Sequence, residues 1–235
     1  MSTISDTIRN NLRIQADKST LQQHLAAAVV HGGTQVSNGT NVDRNFVRGH
    51  LVPSLHAETR ALLLYYGKNI YYNNYKGWCF YDASYKAKKV DIAVLRVKRS
   101  GELANARPCR KCLKMMRDLG VKKVHYSTGN DEEILCENVN DMFSIQDSSA
   151  ARMFERAKYN YPRSDKDYYK LILKNSVPTQ IKNSNLQHFI RFNLTDLLPS
   201  CSYSFHKGVG KKKHKEYIRI EDGTDSDFII LINIV

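Results

Sequence analysis

The alternation of apolar and polar positions predicts a regular order of strands and helices through the first part of the chain. Residues 25–30 are small and apolar, His31-Gly32-Gly33 makes a turn, and residues 34–37 alternate, so a β-hairpin is expected over 25–37. Ser19 or Thr20 stands where it would cap a short helix within 18–27. Residues 38–45 read as a polar loop. Residues 54–66 join an available cap, Ser54, to good helix formers and a stop at Gly67, which predicts a helix. Residues 90–97 are apolar and β-branched and predict a strand. Residues 109–119 predict a helix ended by Gly120, and 121–126 the next strand. A short acidic turn then leads to a strand over 134–139, which would run antiparallel to the one before it. Hairpin, helix, strand, helix, strand, strand is the order of an α/β fold with helices packed on a sheet.

Beyond about residue 150 the pattern changes. Tyr, Lys, Arg, Asn and Asp dominate through Lys170, and two strand-like pieces, 216–220 and 228–235, flank an Asp222-Gly223 turn. The chain therefore divides into a domain over 1–149, with an insertion at 68–89, and a basic C-terminal extension over 150–235 that contains strands. No internal repeat is visible.

Hydrophobic residues make up 42% of the 235, enough for a packed core and too many for global disorder. No apolar run approaches the roughly 18 residues a membrane span needs, and residues 1–19 lack the apolar stretch of a secretory signal. An intracellular protein, cytoplasmic or nuclear, with no membrane partner is expected. The five cysteines are odd in number and irregularly spaced, which argues against a disulfide framework and for paired cysteines that hold metal. A net charge of +13 points to phosphate-bearing partners. The run 207–215, with Lys211, Lys212 and Lys213, is either a grip on a nucleic-acid backbone or a nuclear import signal, or else a solvated loop between strands. The insertion interleaves aromatics, Tyr75 and Trp78 among them, with lysine. These side chains either stack bases or pack the insertion onto the domain.

The chemistry concentrates in two short segments, His56-Ala57-Glu58 and Pro108-Cys109-Arg110-Lys111-Cys112, each at the start of a predicted helix. Two cysteines three apart at a helix N-terminus face one ion, and the exposed N–H groups and dipole favour their thiolates. With His56 they make three ligands for Zn²⁺, the open set of a catalytic site, where a fourth ligand water has its pKa lowered towards about 7. Glu58, two residues on, is placed to move protons. A lone C-x-x-C would favour a structural zinc site, but the adjacent carboxylate and the three-ligand count favour catalysis.

The segments Leu55-His-Ala-Glu-Thr, Ala106-Arg-Pro-Cys-Arg-Lys-Cys and 120–127 resemble the cytidine deaminase superfamily over roughly residues 18–140. The resemblance implies a mixed five-stranded sheet sandwiched by helices and zinc-dependent hydrolytic deamination of a nucleobase. The substrate it implies is most often cytosine, in a nucleoside, nucleotide or polynucleotide. It implies Zn²⁺ on His56, Cys109 and Cys112, and Glu58 as the catalytic acid and base. It also implies substrate contacts from Asn41 to the sugar, from the Ala57 backbone to the base, and from Pro108. Members often form dimers or tetramers, which implies a homo-oligomer. An antiparallel last strand pair is similar to the branch that holds the free-nucleoside cytidine deaminases. The long insertion and the extension depart from the family pattern. They leave open a rival reading: a deaminase-fold protein whose catalysis is dispensable and whose role is nucleic-acid binding or structural interaction.

Overall fold

The computed structural model describes residues 4–44, 46–48, 50–51, 54–87, 89–130, 132–176, 178, 180–208, 215–221 and 230–235. They form two compact units, the first of Met1–Asn140 with Ser149–Ala151, the second of Asp141–Ser148 with Arg152–Val235. The fold is mixed α/β.

The first unit begins with α1 (Asp6–Ala16), then the hairpin β1 (His24–His31) and β2 (Thr34–Thr40), and a small hairpin β3 (Phe46–Val47) and β4 (His50–Leu51). Helix α2 (Ala57–Tyr66) leads into the insertion hairpin β5 (Ile70–Asn73) and β6 (Gly77–Phe80). Strands β7 (Asp91–Val97) and β8 (Leu103–Ala104), helix α3 (Arg110–Asp118), and strands β9 (Lys123–Ser127) and β10 (Ile134–Asn138) complete it. The main sheet runs β10-β9-β7-β1-β2, five strands as expected, with the two-residue β8 added beside β7. Strands β7 and β9 are parallel, and β10 is antiparallel to β9.

Two expectations need correction. No helix follows Ser19 or Thr20. The Ser19 hydroxyl instead donates to Asn41 Oδ1 at 2.8 Å. The helix lies earlier, as α1, where the Ser5 side chain accepts from Ile8 N. Its buried Ile8, Leu12 and Ala16 recur every four residues, a stripe one residue wide inside a polar sequence. That stripe packs on Ala26, Ala28, Val30, Ala93 and Leu95, one face of the sheet. Residues 38–45 are not all loop either, since β2 continues through Thr40.

Ala27 pairs with Gly39 on the opposite face, and there α2 lies almost backbone to backbone on β2. A Cβ at Gly39 would stand 2.7 Å from Ala61 N and 3.0 Å from Ala57 O. The Ser37 hydroxyl also donates to Ala61 O at 2.7 Å. Glycine at 39 thus fixes how close the first turns of α2 come to the sheet.

The second unit holds α4 (Ser149–Tyr159) in large part, α5 (Asp165–Ser176), β11 (Gln180–Ile181), α6 (Asn183–Phe189) running into a π-helical turn (Ile190–Thr195), β12 (Ser202–Gly208), β13 (Lys215–Glu221) and β14 (Ile230–Ile234). Its sheet runs β11-β14-β13-β12. Tyr168, Ile172, Leu173, Phe189, Leu194, Ile218 and Ile232 are among its core. The buried Asn193 pins it, accepting from Ile145 N at 2.9 Å and donating to Phe189 O at 3.1 Å. The two expected C-terminal strands correspond to β13 and β14; the Asp222-Gly223 turn lies outside the described residues.

Gly39→Ala should force α2 away from β2 and cost about 1–3 kcal/mol. The check is the urea midpoint, and an unchanged midpoint would contradict the close contact.

Candidate metal centre

Strand β2 is antiparallel to β1, and β1 is antiparallel to β7, so β2 and β7 point the same way. Each therefore delivers the chain to the same sheet edge, where α2 and α3 begin. His56 is the N-cap of α2 and Cys109 the N-cap of α3, both in extended backbone and neither using its side chain as a cap. Their side chains are thereby left to face each other. Cys112 sits one turn into α3 on the same side.

His56 Nδ1 lies 3.5 Å from Cys109 Sγ and 3.3 Å from Cys112 Sγ, and the three ligand atoms lie within 4.8 Å of one another. Zn–S bonds of about 2.3 Å and Zn–N bonds of about 2.0–2.1 Å at tetrahedral angles place sulfur and nitrogen about 3.6 Å apart. The donor set and its spacing fit a Zn²⁺ ion. Among the described residues it is the only group of three or more such side chains close enough to share a metal.

The electrostatics agree. The hydrogen bond from the Cys112 thiol, with His56 beside it, holds Cys109 well below the usual thiol range. Cys112, donating to that thiolate and buried, is pushed up. The pair shares a proton that a metal would displace. Thr59 Oγ1 lies 3.6 Å from Cys112 Sγ and steadies it. Glu58, 3% exposed, lies beside the triad. Burial raises its pKa, opposed by the neighbouring His56. Its Oε2 is buried with no hydrogen-bond partner. Such an orphaned acceptor costs about 1–3 kcal/mol unless something occupies the space in front of it.

The approach to Cys109 is stitched to β9. Ala106 N donates to Ser127 O at 2.8 Å, and Asn105 pairs with Thr128. Arg107 is 2% and Glu137 4% exposed at the side chain, and they form an ion pair at 3.3 Å. The Tyr126 hydroxyl donates to the same Glu137 oxygen. This buried network sets the loop that carries Pro108 and Cys109. Sequence reading missed it, because Glu137 and Tyr126 become neighbours of Arg107 only through the β9–β10 pairing.

The other sequence candidates are placed variously. Ala57 and Pro108 are buried beside the ligands they adjoin in the chain. Val42 pairs with Leu55, which brings the loop after β2 next to His56. The Asn41 amide is turned to Ser19, Leu25 N and Gln23 O and has all these bonds made. Trp78 is 8% exposed and packs on Tyr72, with its backbone N–H donating to Asp118 Oδ2, whereas Tyr75 at the hairpin tip is 99% exposed. Lys211, Lys212 and Lys213 lie outside the described residues.

No protein-family model matches the chain, and no curated protein matches it in sequence. Solved structures that resemble it in part include the dCMP deaminase of the cyanophage S-TIM5 in apo form. That structure is 20% identical with a TM-score of 0.31, over 54% of this chain and 87% of that one. No helix among the described residues is long and apolar enough to cross a membrane.

Glu137→Gln would remove the carboxylate of the buried Arg107–Glu137 pair and should cost about 3–5 kcal/mol. Equilibrium denaturation measures this, and a variant as stable as the parent would contradict the role given to the network.

Proposed function

We propose that the chain is a zinc-dependent hydrolytic deaminase of a nucleobase, cytosine to uracil. The observation that carries this reading is the buried, unpartnered Glu58 Oε2 beside His56, Cys109 and Cys112. A purely structural zinc site has four protein ligands and no use for an unsatisfied carboxylate at its edge.

His56, Cys109 and Cys112 would hold the zinc. When bound, the ion acts as a Lewis acid that makes water acidic enough to give up a proton near neutral pH. Glu58 Oε2 accepts that proton, hands it to the ring nitrogen, and mediates the second transfer to the departing amine, so that cytosine and water become uracil and ammonia. Glu58 is 3% exposed and so kept from bulk water. The resemblance supports cytosine over adenine, since most of its branches act on cytosine.

Ammonia release from cytidine, cytidine monophosphate, and single-stranded RNA and DNA tests the proposal on zinc-loaded protein. Glu58→Ala should lower the rate by at least about 10²-fold while the zinc stays bound. Bound zinc with no ammonia from any cytosine compound would overturn it in favour of a binding protein on the same fold.

A further inference from the structure

Beside α2 runs an open groove of about 370 Å³, within the roughly 300–1,000 Å³ range of ligand sites. Leu55, Leu63 and Leu64 give it an apolar floor, and Arg44, Arg48 and Arg60 line it. Each guanidinium is held in place by uncharged oxygens. Arg44 Nε donates to Phe46 O at 3.1 Å, and Arg60 donates to Thr40 Oγ1 at 2.9 Å. Arg48 donates to Ile70 O at 3.1 Å and to Gly67 O. No carboxylate among the described residues pairs with any of the three, Asp43 next to Arg44 included. Three oriented, uncompensated forks around one groove make a receptor for anions.

The spacing selects the anion. Arg48 sits at the C-terminal end of α2, on Gly67 O, while Arg60 reaches back towards Thr40. Positions 60 and 67 are seven residues apart, about 10 Å along the axis of α2, too far for one phosphate to bridge. Leu55, which lines the groove, precedes the candidate metal ligand His56 in the chain.

We propose that this groove binds the backbone of a single-stranded nucleic acid, successive phosphates meeting successive arginines, and leads the strand to the metal centre. That the strand is the substrate rests on the deaminase reading; that the groove binds it does not. The groove bears on what the deaminated base is attached to.

The test is fluorescence anisotropy of the full chain with short fluorescein-labelled single-stranded DNA and RNA over a range of salt. It is run in parallel on the parent and on Glu58→Ala, so that loss of ammonia release and loss of binding are read separately. Changing Arg44, Arg48 and Arg60 to Gln should weaken binding at least about tenfold and flatten the dependence of log K on log salt by roughly 0.7 per arginine, about 2 in all. The triple Lys variant should keep the slope. The pair Arg44→Gln with Arg60→Gln spares the helix-end contacts of Arg48. It should lose about 1.4 of slope even if the triple variant folds poorly. A control that removes three exposed charges elsewhere, Arg163, Lys166 and Lys174, should change little. The proposal is overturned if the parent binds no oligonucleotide or if the control loses as much as the groove variant. It is equally overturned if cytidine monophosphate alone, or an oligoglutamate peptide, shows the same loss on groove substitution.

Discussion

Strands β2 and β7 run in the same direction with β1 between them, and each hands the chain to a helix at one edge of the sheet. That constraint brings the N-termini of α2 and α3 together, and with them every side chain of the metal centre. Helix N-termini have unsatisfied N–H groups and a positive dipole end, which favour thiolates and a buried carboxylate where an apolar interior would not. The closeness of α2 to the sheet is set by Gly39, and the height of Cys109 by the Arg107–Glu137–Tyr126 network under its loop. The ligands are thus positioned by backbone packing on one side and a buried ion pair on the other.

Much of this is legible in the sequence because the chemistry narrows the choice of residues. His-Ala-Glu and Pro-Cys-x-x-Cys each stand at a helix start, and the Gly32-Gly33 turn and the β-branched run 90–97 place the strands that precede them. The first helix was not legible. Its single apolar stripe is too narrow to outweigh the polar residues around it, although Ser5 is a good cap. The second unit was legible only at β13 and β14. Its core joins Tyr168, Phe189 and Ile218, positions far apart in the chain whose local surroundings are polar.

The finer features of the site depend on contacts no local pattern reveals. Thr59 becomes a neighbour of Cys112, and Glu137 of Arg107, only when strands and helices are assembled. Asn41 shows the converse. Its type and position suit a substrate contact, yet its amide is committed to the segment between α1 and β1. The arginine groove combines a loop, a helix face and a helix end, and so it too appears only in three dimensions.

The proposed deaminase needs a zinc site with three protein ligands and one coordination position left to solvent. Zinc K-edge X-ray absorption on the loaded protein reads that directly. It should show two sulfurs at about 2.3 Å and two nitrogen or oxygen atoms at about 2.0–2.1 Å. A shell with three or four sulfurs, or a protein that takes up no zinc, would contradict the centre described above.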